Sequence, residues 1–596
     1  MGFGSRSDVP ASNLGRHLPG YTAPVIRQLV PHLNLVRWLI RSIVLTVALS
    51  TLGGAAQEPG ERQGPKTPVP LGPTTPPELE AYARDWPTAQ GNLAGTRAAR
   101  DATINAENVD QLDVAWRFPL VASSGWGGMT ATPLVAGNTV YVQDMQSNVF
   151  ALNRNTGKVE WKHEYNVNSA GPNGLALGYG RIYGVLGDTA EVFALSARTG
   201  VERWRVKLSG NSGEGIDMAP LVYDNTVYVS TAPSNSRTFY GGGQKGVFFA
   251  LDAGTGSVMW QFDTTSNLWG NPRINSGGGL WYPPSVDHNG NIYFGTGNPG
   301  PWPGTHAFPN GSSRPGDNDY ASSMVSLNPK TGAVRWSVNA RPHDLFDLDF
   351  QNTPVLVRLQ TDAGIVKLAI GSGKTGTVIA ANADTGQLVW QTAVGKHQND
   401  DLTELPMGKT VEIYPGNLGG IETPISYANG TLFVPVVNLS RLYKATGFVI
   451  DSGELTSATG ELVALDVRDG SLKWQVELPQ GAFGGTAVAN DVVFVSTLDG
   501  VFAGYDVKSG ERLWSYQASS GFNAPPAIAG DMVFVAAAGP LVARAVQPEP
   551  VTPAAGSLFG SNPTATPAPA PASVMDLIAF RISQPQSTAT AGTSGP

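Results

Sequence analysis

The chain has 596 residues and a formal charge of −8, and no Lys/Arg run offers a stripe for phosphates, which argues against nucleic acid as a partner. The absence of cysteine excludes disulfides, thiolate metal sites, covalent haem attachment and a lipid anchor on sulfur, so any redox chemistry must use a bound, non-thiol cofactor. Glycine (72) and proline (45) are abundant and long helical periodicity is scarce, a mix that points to many short strands joined by tight turns.

Residues 1–35 are polar and mildly basic. Arg37 and Arg41 then flank Trp38-Leu-Ile40, an apolar run follows from Ile43 to Leu52, and Gly53-Gly-Ala-Ala56 supplies a small-residue exit. This is the pattern of a secretory signal, with an uncleaved N-terminal membrane anchor as the competing reading of residues 1–56. The apolar run is short for a bilayer span, which needs roughly 20 residues. Either reading places the bulk of the chain outside the cytoplasm. Residues 57–80 read as a Pro-rich linker and 546–596 as a Pro/Ala/Ser/Thr-rich disordered tail, in which the apolar patch Met575–Ile582 is assigned no element. The globular part is therefore expected over 81–545.

Inside that span one pattern recurs. Ala151-Leu-Asn-Arg-Asn-Thr-Gly-Lys-Val-Glu-Trp161 returns as Ala194–Trp204, Ala250–Trp260, Ser326–Trp336, Ala380–Trp390, Ala464–Trp474 and Gly504–Trp514, and Trp116 sits in the same apolar setting without the turn before it. Each unit reads strand, Gly/Asn turn, strand, Thr-Gly-type turn, strand. Such repeats, about 40 residues long, predict an all-β, eight-bladed β-propeller in which the tryptophans dock one blade on the next. The widest intervals, Trp260 to Trp336 and Trp390 to Trp474, mark inserted loops, which is where function is usually carried.

Charge is sparse elsewhere, at 14% of residues, yet Asp344, Asp347 and Asp349 fall close together in Pro342-His-Asp-Leu-Phe-Asp-Leu-Asp349. Asp347 and Asp349 share a side if the backbone is extended. With the Asn298 amide oxygen nearby they would form a hard-oxygen cation site or a general base beside one; the bland alternative is a solvated surface loop. His343 orients an aspartate or caps a turn, Gly295, Gly297 and Gly373 are expected to supply positive φ, and the plain alternatives for Lys374 and Trp281 are a surface lysine in a Gly turn and a blade-core filler.

The ordered motifs narrow the choice. Asp85-Trp-Pro-Thr, Gly95-Thr-Arg97, Gly277-Gly-Gly-Leu-Trp281, Gly295-Thr-Gly-Asn-Pro-Gly-Pro-Trp302, Arg314-Pro-Gly-Asp-Asn318, Pro342-His-Asp-Leu-Phe-Asp347, Gly373-Lys-Thr-Gly376 and Gly521-Phe-Asn-Ala-Pro-Pro526 follow one another over residues 85–540. Together they resemble the pyrroloquinoline-quinone (PQQ) alcohol dehydrogenases. The resemblance implies Trp281 as the floor under the quinone, Lys374 on the quinone oxygens, Asn298 as cofactor and metal ligand, Asp347 as metal ligand and catalytic base, and Asp349 as the extra acid of members that use a lanthanide in place of calcium. It further implies an alcohol or polyol substrate, a cytochrome or other electron acceptor, and a periplasmic setting. The chain departs from the family where adjacent cysteines are usual (Asn166–Gly174, with Asn168 and Ser169), at the metal-ligand glutamate expected near Ser234–Gly241, with Glu214 or Asp217 as stand-ins, and at the early cofactor glutamate around Met129-Thr130. These losses leave a second reading open, a non-catalytic propeller serving as a binding or assembly scaffold.

Overall fold

The computed structural model describes residues 74–542, apart from 122, 123, 363 and 451, and residues 574–583; the expected signal or anchor of 1–56 lies outside them. Among the described residues are eight four-stranded antiparallel sheets, a two-stranded and a three-stranded sheet, one α-helix and four short 3-10 turns. Seven of the large sheets are built from strands that follow one another in the chain, running from Leu134–His163 to Thr486–Gln517. The architecture is propeller-like.

The repeat explains the packing between sheets. In each copy the first residue of the pattern is the cross-strand partner of the tryptophan (Ala151 with Trp161, Ala194 with Trp204, Gly504 with Trp514), and the register slips immediately after it. A small residue is required there because the indole leans out of its own sheet. Its ring lies on the turn glycine of the next one: a Cβ on Gly200, Gly256 or Gly386 would stand 2.5 to 2.8 Å from Trp161, Trp204 or Trp336, and all three glycines have positive φ. The indole N–H then donates to a carbonyl of the same turn, three residues before the glycine: Trp161 to Ala197 at 3.0 Å, Trp204 to Ala253 at 3.1 Å and Trp336 to Ala383 at 3.0 Å. One substitution-intolerant glycine and one indole ring seated on it thus lock each neighbour.

Two boundaries differ from the sequence reading. The patch Met575–Ile582 is not featureless: Asp576–Ile582 is a strand seated between Leu112–Pro119 and Met532–Ala537. Leu577, Ile578, Ala579 and Phe580 are fully buried there, and Phe580 packs edge-on to Trp514 at 5.3 Å. The sheet that opens the repeat series is completed by this late segment, and Trp514 donates to Leu112 O (3.2 Å) to join the last sheet to the first. At the other end, the linker expected up to residue 80 is docked from Thr74 onward. Thr74 N donates to the Asp224 carboxylate (2.9 Å) and Asp224 N to Thr74 O (3.0 Å), and the Glu78 carboxylate, on the short helix Pro77–Ala81, accepts from Tyr179 N (2.9 Å) and Gly180 N (2.5 Å).

The entry motifs also turn out to be structural. Arg97 is wholly buried over the Trp86 ring and donates to Thr486 O, Ala89 O and Pro526 O at 2.7 to 2.8 Å, tying the entry segment to two sheets. Burial lowers its pKa to about 9, so three carbonyls are needed to keep the cation satisfied.

Candidate functional site

The triple glycine of Gly277–Gly279 has positive φ throughout and lies against Gly297–Gly300. Ser276–Gly277 pairs with Pro299–Gly300, Gly278 N donates to Asn298 O (3.0 Å) and Gly297 N to Gly279 O (2.9 Å). That contact carries Trp281 to the edge of the Gly-Thr-Gly-Asn segment. A Cβ on Gly297 would be 3.2 Å from the Trp281 indole nitrogen and 3.5 Å from Asp349 Oδ1. Gly295 and Gly373 do not have positive φ; they are needed because a Cβ would lie 2.1 Å from Phe350 O and 2.3 Å from Asp349 O. The glycines of this region let backbones touch, and the expected special torsions at 295, 297 and 373 are absent.

The acid-bearing loop enters between these strands. It is not extended, so the two acids do not converge by strand alternation: Asp347 has φ of 61°, the left-handed region. Asp344 does not face the cavity. Its carboxylate accepts from Phe346 N (2.9 Å) and Leu348 N (2.8 Å) and shapes the loop. Arg314, fully buried, donates to Asp344 O (2.6 Å), Pro301 O (3.0 Å) and the Asn318 side chain, so the Arg-Pro-Gly-Asp-Asn motif is a buttress. His343 sits with its Nδ1 2.9 Å from Gly316 O and its Nε2 3.3 Å from Asn310 O, holding a turn.

Asp347 and Asp349 meet at Lys374. Its Nζ is 2.7 Å from Asp349 Oδ2 and 3.5 Å from Asp347 Oδ1, with both acids almost completely buried. Asp349 Oδ1 in turn accepts from Asn298 N at 2.5 Å. Burial pushes the Asp347 carboxyl well up; Lys374 opposes this and Asp349, Asp344 and Glu422 add to it. Asp349 is shifted the same way by burial. Burial alone would lower Lys374, but the surrounding carboxylates hold its ammonium well above the usual range. Lys374 is therefore no surface lysine, and the acids are no solvated loop.

These groups border a cavity of about 280 Å³, near the lower end of the roughly 300–1,000 Å³ common for small-molecule sites. Trp281, Tyr282, Asp347, Asp349 and Lys374 line it, facing Trp126, Phe239, Tyr240, Leu418 and Phe483. The Asn298 Oδ1 and the Trp281 N–H are buried and find no hydrogen-bond partner among the described residues. Both are the kind of orphan that a bound group resolves.

The departures noted in the sequence have visible consequences. From the segment Asn166–Gly174, Ala170, Gly171 and Pro172 reach the cavity, and a Cβ on Gly171 would be 2.9 Å from the Trp281 ring. The segment expected to carry a glutamate brings Tyr240, whose hydroxyl is buried and unpartnered in the field of Asp349 and Asp347. Thr130 lines the cavity where an early acid was expected. Neither stand-in moves into the gap. Glu214 is occupied by Ser209 Oγ (2.5 Å), Asn211 and Lys245 N (3.0 Å), while Asp217 Oδ1 accepts from Ala170 N, Gly171 N and Ser169 Oγ beneath the turn. One acid escaped the sequence reading. Glu422 lines the cavity with an unpartnered Oε1, and burial pushes its pKa up to about 8. It stands alone in an apolar stretch, where no spacing signals it.

Asp217 offers a pH test of the burial. Its carboxyl is raised to about 6 by burial, against the ordinary carboxylate range when unfolded. The fold holds that proton to higher pH, so stability falls as pH rises from about 4 to 6 and the cost persists above. Asp217→Asn keeps the accepting oxygen and removes the charge. Unfolding by denaturant should show it about 3 kcal/mol more stable than the parent at pH 8 and indistinguishable at pH 3.5.

The glucose/ethanol/alcohol dehydrogenase β-propeller domain model matches residues 86–178 and 211–404, and the model of outer membrane protein assembly factor BamB matches 374–548. The lanthanide-dependent methanol dehydrogenase of Methylacidiphilum fumariolicum is 27% identical over 503 residues, 71% of this chain and 79% of that protein. The quinohemoprotein alcohol dehydrogenase of Comamonas testosteroni is 27% identical over 498 residues, 70% of this chain and 67% of that one. By family model and by relatives the chain is similar to the PQQ-dependent alcohol dehydrogenase-like β-propeller family. The fold is shared: the Comamonas enzyme's crystal structure superposes with a TM-score of 0.69 at 22% identity, covering 85% of this chain and 81% of that one. A europium-containing methanol dehydrogenase gives 0.68 at 22% identity, covering 84% and 99%.

Proposed function

We propose that the protein is an exported PQQ-dependent dehydrogenase that oxidises an alcohol, with a calcium or lanthanide ion held beside the quinone. The observation that carries this reading is the trio of Asp347, Lys374 and Asp349 at the wall of a cavity edged by Trp281, with the Asn298 amide oxygen buried and unpartnered close by. Two carboxylates and an amide oxygen are a hard donor set suited to Ca²⁺ or a trivalent ion, and a flat indole with a cation at its margin suits a planar anionic quinone. The residues present therefore fit both groups. When bound, the quinone supplies the two-electron acceptor for the alcohol's hydride.

The chain's own groups do the rest. Asp347 takes the hydroxyl proton on its carboxylate; burial makes it a stronger base than a surface aspartate, and the adjacent Lys374 ammonium favours the ionised form against that burial. Asp349 anchors Lys374 and the Asn298 backbone, which fixes the donor set before substrate arrives. Phe239, Leu418 and Phe483 give the cavity an apolar side. We read the eight four-stranded sheets as eight blades around this site, and electrons as leaving to a cytochrome or similar acceptor. Export rests on the basic and apolar stretch from Arg37 to Ala56; no helix among the described residues is long and apolar enough to cross a membrane. The match of 374–548 to an assembly factor, together with Tyr240 in the place of an acid, favours the scaffold as the second reading.

Adding PQQ with Ca²⁺ or La³⁺ separates the two. The dehydrogenase should quench tryptophan fluorescence on binding and reduce an artificial dye with some member of an alcohol panel, and do neither step fully without the ion. A protein that binds no PQQ under either condition is the scaffold.

A further inference from the structure

The widest interval of the repeat, between Trp390 and Trp474, carries a small sheet outside the eight large ones. Val411–Ile413 pairs with Arg441–Lys444, which pairs with Gly447–Phe448. From its middle strand Tyr443 points inward and is fully buried. Its hydroxyl donates to Phe346 O at 2.7 Å, and its ring packs on Phe346 with centroids 5.2 Å apart. Ile413, Leu405 and Ala445 of the same insert join Leu345, Phe346 and Leu348 in one apolar cluster.

The peptide held by Tyr443 is the one that precedes Asp347. The peptide that follows Asp347 is held too, since Leu348 N donates to the Asp344 carboxylate. Between these two fixed peptide planes Asp347 adopts a left-handed φ, a conformation that a residue with a Cβ does not keep unless its surroundings impose it. If the Phe346–Asp347 peptide were free to rotate, Asp347 would relax to a common region and its carboxylate would swing away from Lys374. Nothing else among the described residues bonds the Phe346 carbonyl.

We propose that Tyr443 is a positioning residue for Asp347: the three-stranded insert is a brace that holds the base in its strained, productive torsion. This rests on the assignment of Asp347 as base, and adds that a residue of another repeat unit, nearly a hundred positions later, sets its aim.

Tyr443→Phe removes the hydroxyl and leaves the apolar packing. With PQQ and the metal bound, kcat should fall roughly five- to tenfold, the loss expected for one buried hydrogen bond, while KM for the alcohol stays within about twofold. Hydrogen exchange at residues 345–349 should speed up and that of the flanking strands should not, a readout taken without cofactor. Asp347→Asn is measured alongside. Turnover surviving in Asp347→Asn overturns the base and the brace together. Asp347→Asn inactive with Tyr443→Phe at parental kcat and unchanged exchange overturns the brace alone, as does a Tyr443→Phe effect that appears wholly in KM.

Discussion

At saturating PQQ and ion, Asp347→Asn is expected to lower kcat/KM for the alcohol by about 10³-fold while leaving the protein folded. General-base catalysis is worth roughly 10²- to 10⁴-fold, and this carboxylate is both buried and within reach of the cavity. The exchange is nearly isosteric, and Lys374 retains its shorter contact, 2.7 Å to Asp349, so the cation is not left unpaired. Steady-state dye reduction with saturating PQQ and ion measures the loss, and the thermal midpoint checks the fold. A variant within about threefold of the parent would remove Asp347 from the proton-transfer step and shift attention to Glu422, the other cavity acid whose raised pKa lies within range of neutral pH.

The second large effect concerns the late strand. A chain ending at residue 573 lacks Asp576–Ile582, and is expected not to fold. The strand buries Leu577, Ile578 and Phe580 completely, each worth about 1.5–3 kcal/mol. Removing it also strips the ladder partners from Leu112–Pro119 and Met532–Ala537. Together these losses approach the entire 5–15 kcal/mol that holds a typical domain. Circular dichroism and the soluble yield should show the truncated chain without a cooperative melt, whereas a chain ending after Ser583 should melt like the parent. Cooperative unfolding of the 573-residue chain at the parental midpoint would show that the ring does not depend on this strand.

What could be read from the sequence follows the range of the interaction that makes each feature. The tryptophan repeat was legible because its causes are local: a small residue opposite the ring, a tight turn, and a glycine at each junction, all within eleven positions. The Asp576–Ile582 strand was not, because its flanks are rich in proline and alanine and one of its two partners, Leu112–Pro119, lies more than 450 residues away. Asp347, Asp349, Lys374 and Trp281 were named from the order of motifs, and the structure brings them to one wall. The reason offered for the two acids, alternation along an extended strand, was not the cause. Their convergence depends on a left-handed turn braced by Asp344 and Tyr443, and neither brace leaves a pattern in the local sequence. Glu422 and Tyr240 reach the cavity from loops whose course only the folded chain defines.

The joining of Leu112–Pro119 to Asp576–Ile582 also dictates an order of events in biosynthesis. Seven sheets can assemble as the polypeptide emerges, since each uses strands in chain order, but the sheet of Leu112–Pro119 stays incomplete until Asp576–Ile582 is available. Bringing such distant ends together costs little extra at equilibrium, because the penalty grows only logarithmically with loop length, yet it makes closure a late and slow step. During that wait two strand edges face each other across a gap, and any extended peptide that fits the slot competes with the native one.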